Sequence, residues 1–471
     1  MRYISTRDGR APAERHDFDD VLLAGLAPDG GLFVPESWPR FDAAALRALR
    51  GRSYAEVAAQ VTQPFLGDAI APAEWRALIA RAYKGFTDPA VAPLKQLAPD
   101  LWLLELFHGP TFAFKDYALQ LIGPLFDHVL KRRRRGVTIV GATSGDTGSA
   151  AIEACRDRAA IDIFMLYPAG RISEVQRRQM TTVPSRNVHA VAVEGTFDDC
   201  QDLVKAMFAD AEFRRAYKLS AMNSINWARI MAQIVYYFTA ALALGSPDNP
   251  VSFAVPTGNF GNVYAAHVAR SMGLPIAQLV VATNRNDILA RFFNDGAMAL
   301  GSVEPSLSPS MDIQVSSNFE RLYFDLVGRD GAKVAAAFKA FRATGKLPIN
   351  AAEWQAARAL FSAARIDDTE TSATIAATFR DTGELIDPHS AVALAAARRV
   401  PVSPGVPMVA VATAHPAKFP DAVFAAAGAR PAAPPALANL MVLPERQIVL
   451  KNDLAAVEDF IRRHARPEVV A

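Results

Sequence analysis

Apolar runs rich in β-branched residues alternate with helix-length segments over most of the chain, from Leu101 onward. Each run ends in a turn signal, and most are followed by a segment long enough to form a helix. This alternation predicts βαβ units, and hence an α/β fold in which largely parallel sheets are covered by helices. The six clearest runs are Val137–Gly141, Ile161–Tyr167, Val188–Val193, Val251–Val255, Gln278–Ala282 and Met408–Thr413.

The first part of the chain follows a different pattern. Short helical patterns, Ala43–Leu49 and Ala73–Tyr83, are joined by turn-rich links such as Pro28–Gly31. No strand–glycine–helix unit is recognisable there, although such units recur later in the chain. Residues 1–95 are therefore predicted to form an N-terminal cap region.

The composition excludes several classes of protein. Of the 471 residues, 51% are hydrophobic and 21% are charged, which is typical of a globular protein with a large core. The formal net charge of +2 gives no reason to expect nucleic acid or an acidic membrane surface as a partner. With only two cysteines, neither a disulfide framework nor a metal site built on cysteine pairs is expected.

Two further features bear on location and on metals. Charged residues interrupt the N-terminal segment too often for a signal peptide, and Gln233 interrupts the apolar segment Ile230–Ser246. We therefore expect a soluble, cytoplasmic protein without a membrane partner. His108, His389 and His415 are predicted to lie in loops, and no paired spacing indicates a metal site.

The segment Phe107–Asp116 surrounds a lysine with aromatic and small residues. Burial lowers the pKa of a lysine and makes the neutral amine of Lys115 available for Schiff-base chemistry. The alternative is a surface lysine at the start of a helix, paired with Asp116. This segment by itself does not favour the first interpretation over the second.

Two loops of small and polar residues lie between a strand and a helix, where backbone N–H groups bind anions. A plain capped turn would need fewer such residues, so anion binding is favoured. Neither loop has the spacing of a Walker or dinucleotide-binding sequence. The candidate residues are Ser144, Gly145, Asp146 and Thr147 in Val140–Ser149, and Gly258, Asn259, Phe260, Gly261 and Asn262 in Pro256–Asn262.

A third candidate for anion binding is Asn223–Arg229, at the start of the long apolar segment. Arg229 can hold a phosphate or carboxylate through two parallel hydrogen bonds, helped by Ser224. The alternative is a surface arginine near a helix N-terminus, where its charge is mildly unfavourable. That mismatch favours an anionic partner for Arg229.

Together these segments resemble the threonine synthases, in particular the longer subclass with an additional N-terminal region. Each segment is short, but the complete ordered set is specific. The remaining segments of this set are Tyr3–Arg7, Pro28–Pro35, Gly170–Gln176, Pro309–Ile313, Ser316–Arg321 and Thr413–Phe419.

The resemblance implies the tryptophan-synthase-β-like fold, or fold type II, of pyridoxal 5′-phosphate enzymes. It implies that Lys115, next to Phe114, holds this cofactor as a Schiff base. The loop 257–262 would bind the cofactor phosphate, and the hydroxyl of Thr413 would lie beside the pyridine nitrogen. The loop 144–147 would receive the α-carboxylate of the substrate, and Thr147, Ser224 and Arg229 its phosphate.

The implied reaction converts O-phospho-L-homoserine and water to L-threonine and phosphate by γ-elimination and β-hydration. Residues 96–130 and 220–471 would form a large cofactor-binding domain, and residues 131–219 a small mobile one. The subclass resemblance also favours a monomer. Two alternatives stay open: a phospho-lyase that releases a keto acid from the same site, and a cofactor-binding regulator without catalytic activity. The combination of Lys115, Thr147, Ser224 and Arg229 argues against the regulator.

Overall fold

The computed structural model describes residues 1–401 and 403–470 of the chain. Its strands are β1 (Tyr3–Ser5), β2 (Phe33–Pro35), β3 (Leu94–Ala98), β4 (Leu101–Glu105), β5 (Val137–Ala142), β6 (Ile161–Pro168), β7 (Val188–Glu194), β8 (Leu219–Ser220), β9 (Val251–Pro256), β10 (Ile276–Thr283), β11 (Phe361–Arg365), β12 (Met408–Ala412) and β13 (Ile448–Lys451). All of the runs predicted from the sequence are strands, with bounds that differ by no more than about two residues.

The α-helices are α1 (Phe18–Ala24), α2 (Ala43–Leu49), α3 (Tyr54–Leu66), α4 (Pro72–Tyr83), α5 (Lys115–Arg133), α6 (Asp146–Cys155), α7 (Glu174–Thr181), α8 (Phe197–Ala209), α9 (Ala211–Ala216), α10 (Trp227–Ala243), α11 (Gly261–Ser271), α12 (Ile288–Asp295), α13 (Phe319–Leu326), α14 (Gly331–Thr344), α15 (Ala351–Arg358), α16 (Asp368–Thr382), α17 (Pro388–Arg399), α18 (Pro420–Ala427), α19 (Pro435–Leu440), α20 (Leu454–His464) and α21 (Pro467–Val470). Two short 3₁₀ helices are η1 (Pro309–Met311) and η2 (Pro416–Lys418). Within the described ranges, no helix is long and apolar enough to cross a membrane.

The chain divides into two compact units. The larger consists of Met1–Val21, Leu26–Phe114 and Ser224–Pro431, and the smaller of Leu22–Gly25, Lys115–Asn223 and Ala432–Ala471. Each unit contains one main sheet, as the alternating pattern predicts for an α/β protein.

The sheet of the larger unit has six strands in the order β11-β10-β9-β12-β4-β3. All neighbours are parallel except β3 and β4, which pair antiparallel at one edge. Helix α17 packs against β9, β10 and β12, and its alanine-rich face forms part of a buried apolar cluster with these strands. Because parallel strands end at the same edge, the loops after β9 and β12 emerge on one side of this sheet.

The sheet of the smaller unit has five parallel strands in the order β13-β7-β6-β5-β8. The central strand β6 is buried along its whole length, which explains its continuous apolar sequence. The loop after β5 leads into α6 and contains the first predicted anion site.

The smaller unit is more extensive than the predicted domain 131–219. It also contains α5 and the last forty or so residues, which the prediction assigned to the large domain. The reason is β13, which pairs in parallel with β7 from Ile448–Val191 to Lys451–Glu194. Its apolar run, Ile448–Leu450, is only three residues long, which is shorter than the runs of about four to eight residues that indicate a strand. The mobility of this part of the molecule stays a prediction.

The predicted N-terminal region contains α2 and α4 where the sequence indicates helices. It also contains an unpredicted antiparallel pair, β1 and β2, of three residues each. Strands this short show too little alternation to be recognised. Tyr3 in β1 is fully buried, and its hydroxyl donates to the carbonyl of Phe65 at 2.6 Å.

Candidate active site

Lys115 is the first residue of α5 in the smaller unit, and its side chain is buried, with 8% exposed. Its Nζ lies 3.3 Å from Oδ2 of Asp146, which is itself buried at the start of α6. The interpretation of Lys115 as a surface residue is therefore wrong. Burial disfavours the charged form of an amine, whereas a neighbouring carboxylate favours it.

The loop after β5 is held by its own side chains. The N–H groups of Gly145 and Gly148 donate to Oγ1 of Thr143, at 3.0 and 2.8 Å. Gly145 has φ of 129°, and a Cβ there would lie 2.4 Å from the side chain of Gln176. Glycine is thus required by conformation and by space. Ser144 and Thr147 are half-buried in this loop.

Gln176 is a site residue that the sequence did not identify. It is the third residue of α7, and it forms a capping box with Ser173. Its Oε1 accepts from the N–H of Ser173 at 3.2 Å, while its Nε2 donates to Oδ1 of Asp146 at 2.9 Å. Gln176 therefore orients the carboxylate that contacts Lys115. Its position in the segment Gly170–Gln176 was the available signal, but the sequence does not indicate that α7 packs beside α6.

The second loop lies in the larger unit, between β9 and α11. Phe260 is left-handed, with φ of 62°, and turns the chain into the helix. Two carbonyl groups of the loop accept hydrogen bonds from side chains of a later segment. Ser316 Oγ donates to Gly258 O at 2.7 Å, and Asn318 Nδ2 donates to Asn259 O at 3.0 Å. The helix itself provides no acceptor for its first N–H groups, which begin at Gly261. These groups suit an anion.

Asn262 adds a side-chain donor at the start of α11. Its Oδ1 accepts from the hydroxyl groups of Tyr236 and Tyr237, both on α10. These two bonds fix the orientation of the amide. Its Nδ2 is buried and has no hydrogen-bond partner within residues 1–401 and 403–470. A buried donor of this kind fits a ligand oxygen.

Arg229 lies in the first turn of α10 in the larger unit, and only 4% of it is exposed. Its Nε and Nη1 have no hydrogen-bond partner among the described residues. Burial lowers the pKa of Arg229 to about 10, an effect that Tyr236 opposes. The interpretation of Arg229 as a surface residue is wrong, and its charge and unpaired donors suit a phosphate or carboxylate. Ser224, five residues earlier, is half-buried.

Thr413 follows the end of β12 and is buried. Its N–H donates to Ser390 Oγ at 3.2 Å, and its carbonyl accepts from the N–H of Phe114 at 2.8 Å. A bridge between Ala113 and Ala414 continues this antiparallel contact. The segment that precedes Lys115 is thus attached to the end of a central strand. Phe114 itself is half-buried.

The predicted site residues are divided between the two units. Lys115, Ser144, Gly145, Asp146 and Thr147 belong to the smaller unit. Phe114, Ser224, Arg229, Gly258, Asn259, Phe260, Gly261, Asn262 and Thr413 belong to the larger unit.

Three family models together match most of the chain. The model described as "Threonine synthase N terminus" matches residues 2–83, "Pyridoxal-phosphate dependent enzyme" matches 88–344, and "Threonine synthase, C-terminal" matches 390–461. A threonine synthase of Pseudomonas aeruginosa is 56% identical over 465 residues, which cover 98% of each chain. The chain belongs to the threonine synthase family.

Solved structures of threonine synthases agree with this assignment. The structure of pyridoxal-phosphate-bound threonine synthase from Brucella melitensis has a TM-score of 0.95 at 53% identity, covering 99% of this chain and 100% of that one. Yeast threonine synthase has a TM-score of 0.93 at 38% identity over 98% of both chains. The predicted tryptophan-synthase-β-like fold is confirmed, and so is pyridoxal 5′-phosphate as the cofactor.

The donors of this family member suit that cofactor. Lys115 offers a buried primary amine for the aldehyde carbon. The start of α11 offers backbone N–H groups and the unpaired Nδ2 of Asn262, which fit a phosphate group. A hydroxyl group such as that of Thr413, unlike a carboxylate, would leave a ring nitrogen beside it largely unprotonated.

Proposed function

We propose that the chain converts O-phospho-L-homoserine and water to L-threonine and phosphate. Overall, the bond between Cγ and the phosphate oxygen breaks, and Cβ loses one proton and gains a hydroxyl group from water. Cγ gains a proton, and the remaining proton of the water is balanced by the released phosphate. The observation that carries this proposal is Arg229, a buried cation with two unpaired donor nitrogens. Burying a charge without a partner is costly, so such a residue supports a substrate that brings a phosphate dianion.

Lys115 is proposed to anchor the cofactor and then to act as the base. Bound pyridoxal phosphate supplies the electron sink for negative charge on the carbon next to the substrate's amino group. The Nζ atom of Lys115 takes the proton from that carbon, which requires the neutral amine. Asp146 Oδ2, at 3.3 Å, stabilises the ammonium form that results, and Gln176 keeps this carboxylate in place.

The other candidate residues are proposed to hold the substrate and the leaving group. The loop 144–147 binds the α-carboxylate, with the hydroxyl groups of Ser144 and Thr147 as donors, because the N–H of Gly145 already donates to Thr143. Thr147, Ser224 and Arg229 bind the phosphate and stabilise the negative charge that develops as it leaves. Gly258, Asn259, Phe260, Gly261 and Asn262 bind the cofactor phosphate at the start of α11, and Thr413 lies at the pyridine nitrogen.

We also propose that residues 131–219 move during catalysis and exclude water until elimination is complete. A shift of this segment would be visible as reduced hydrogen exchange on addition of an unreactive phosphonate analogue of the substrate. Unchanged exchange throughout the segment, at saturating analogue, would contradict the movement.

The test of the reaction is a product analysis. The protein, loaded with pyridoxal phosphate, is incubated with O-phospho-L-homoserine, and threonine, 2-oxobutanoate and phosphate are quantified separately. Threonine and phosphate in equal amounts support the proposal. Phosphate with 2-oxobutanoate would instead identify a phospho-lyase. Visible absorption of bound cofactor with no phosphate release would identify a regulator.

A cytoplasmic location and a monomeric state complete the proposal. Both cysteines, Cys155 and Cys200, are free and buried, and burial raises the pKa of each thiol to about 12. Unreactive thiols of this kind are compatible with a reducing compartment but do not require one. Light scattering coupled to size-exclusion chromatography tests the monomer, for which the expected mass is 50.8 kDa.

A further inference from the structure

Asp387, at the N-terminus of α17, is a fully buried carboxylate. Its Oδ1 accepts from the N–H and the hydroxyl of Ser390, and its Oδ2 accepts from the N–H of His389 and from Nδ1 of the same residue. Helix capping requires only the two backbone bonds. The two side-chain bonds connect Asp387 to other parts of the fold, because the side chains of Ser390 and His389 each have a second hydrogen-bond partner.

The first connection runs through Ser390 to the end of β12. The hydroxyl of Ser390 donates to Asp387 and accepts the N–H of Thr413 at 3.2 Å. The carbonyl of Thr413 in turn accepts the N–H of Phe114 at 2.8 Å. The carboxylate thus orients a hydroxyl that holds the backbone of Thr413.

The second connection runs through His389. The sequence placed this histidine in a loop, but it is the second residue of α17. Its Nδ1 lies 2.6 Å from Asp387 Oδ2, and its Nε2 accepts the N–H of Ser310 at 3.3 Å. These two bonds require the tautomer with the proton on Nδ1, which the carboxylate selects.

Ser310 carries this connection to the loop after β9. It belongs to η1, and its carbonyl oxygen lies 3.1 Å from the position that a Cβ on Gly258 would occupy. The backbone of η1 therefore packs directly on the first glycine of the loop 258–262. Any shift of Ser310 changes the space available to that glycine.

We propose that Asp387 is a positioning residue that holds two parts of the cofactor site at once, Thr413 through Ser390 and the loop 258–262 through His389 and Ser310. The inference rests on the proposed roles of Thr413 and of that loop. It assigns to one buried carboxylate a function beyond capping α17. Groups that orient ligand-binding residues typically change ligand affinity by about tenfold or more when they are replaced.

The two connections can be interrupted separately. His389→Asn keeps a side-chain N–H donor for Asp387 but removes the acceptor for Ser310 N–H. Ser390→Ala removes the acceptor for Thr413 N–H and leaves His389 intact. Asp387→Asn weakens both. The matched control is Asp330→Asn, because Asp330 caps α14 by accepting the N–H of Lys333. Its other recorded side-chain contact within the described residues is the ion pair with Lys333 Nζ at 3.9 Å.

The experiment measures binding of pyridoxal phosphate and of pyridoxal to each apoprotein, with the visible spectrum and the melting temperature. For His389→Asn we expect the preference for pyridoxal phosphate over pyridoxal to fall about tenfold, with an unchanged spectrum. For Ser390→Ala we expect a shifted absorption maximum with an unchanged preference. Asp387→Asn should show both changes, and Asp330→Asn neither.

A structural role alone would lower the melting temperature of the variants. It would not confine the change in ligand preference to His389→Asn and the change in spectrum to Ser390→Ala. If His389→Asn and Ser390→Ala retain both the preference and the spectrum, the proposal is overturned, even where Asp387→Asn does not fold. The proposed reaction is tested separately by threonine formation in the unmodified protein, since cofactor binding is measured here without substrate.

Discussion

Two buried arginines in the larger unit, Arg229 on α10 and Arg321 on α13, differ in how their charge is accommodated. Burial lowers the pKa of each to about 10. The guanidinium of Arg321 donates to the carbonyl groups of Phe33 and Ile225 and to Oδ1 of Asn318. Arg229 instead has two donor nitrogens without a partner in the described part of the chain.

The difference supports a structural role for Arg321 and the proposed ligand-binding role for Arg229. Desolvation of a charge costs several kcal/mol unless hydrogen bonds offset it. The fold provides those bonds at Arg321 through three acceptors from different segments. At Arg229 it does not, so a bound anion would provide them. The desolvation cost of the Arg229 charge would then be offset only when phosphate binds, which would favour binding.

A similar comparison can be made between the two buried lysines among the described residues, Lys115 and Lys418. Replacing Lys115 is expected to have the largest effect on activity of all the variants. Lys418 Nζ donates to the carbonyl of Thr111 at 2.7 Å, whereas Lys115 Nζ faces the carboxylate of Asp146. Lys115→Ala should abolish the visible absorption of lysine-bound cofactor and reduce phosphate release by about 10²–10⁴-fold. Lys418→Met should retain the absorption, even if it is less stable. A visible band that disappears in Lys418→Met and persists in Lys115→Ala would reverse the assignment.

Replacement of Arg229 should separate activity from stability. Arg229→Met is expected to lower kcat/KM for O-phospho-L-homoserine by about 10²–10³-fold, because a donor to the leaving phosphate is lost. The free energy of unfolding should stay constant or rise by about 1–4 kcal/mol, since an unpaired buried charge is replaced by an apolar side chain. Steady-state kinetics and urea unfolding of the apoprotein measure the two quantities. A large loss of stability would show that Arg229 has a structural role instead.

Arg321→Met is the matched variant. Here we expect the opposite pattern, with a large loss of stability and a small loss of activity. The hydrogen bonds that the guanidinium donates to three acceptors would be lost, so we expect a loss of about 3 kcal/mol or more in the free energy of unfolding. At temperatures where the variant is folded, kcat/KM should change much less than in Arg229→Met. If Arg321→Met lost activity as strongly as Arg229→Met without losing stability, burial and hydrogen bonding would not distinguish the two roles.

The sequence predicted the parts of this molecule that depend on local pattern. The central strands and the small-residue loops after β5 and β9 are recognisable because burial on both faces and tight βα turns leave clear signatures. The motifs around Lys115 and Arg229 indicated candidate site residues, and both side chains are buried in the structure. By contrast, the apolar run of β13 is only three residues long, and its pairing with β7 joins segments more than 250 residues apart.

Contacts between distant segments account for what the sequence missed at the site. Gln176 orients Asp146 because α7 packs beside α6, and Asp387 reaches Thr413 because α17 packs on β12. A glutamine in a capping box and an aspartate at an N-cap have sufficient local explanations. Their second partners appear only in the folded chain, and their roles toward the cofactor stay predictions.

The smallest expected effect concerns the pH dependence of phosphate binding at Arg229. Because burial lowers its pKa to about 10, the guanidinium is charged at neutral pH and loses its proton as the pH rises through that value. The unfolded chain then binds more protons than the folded one, so this residue's burial becomes less destabilising as the pH increases. Affinity for inorganic phosphate, which stays a dianion over this range, should fall about twofold between pH 8 and pH 10. Calorimetric titration measures it, with Arg229→Met as the variant in which the weak remaining affinity should not change over the same interval. An equal decrease in both proteins would mean that a group other than Arg229 titrates, and that Arg229 stays charged up to pH 10.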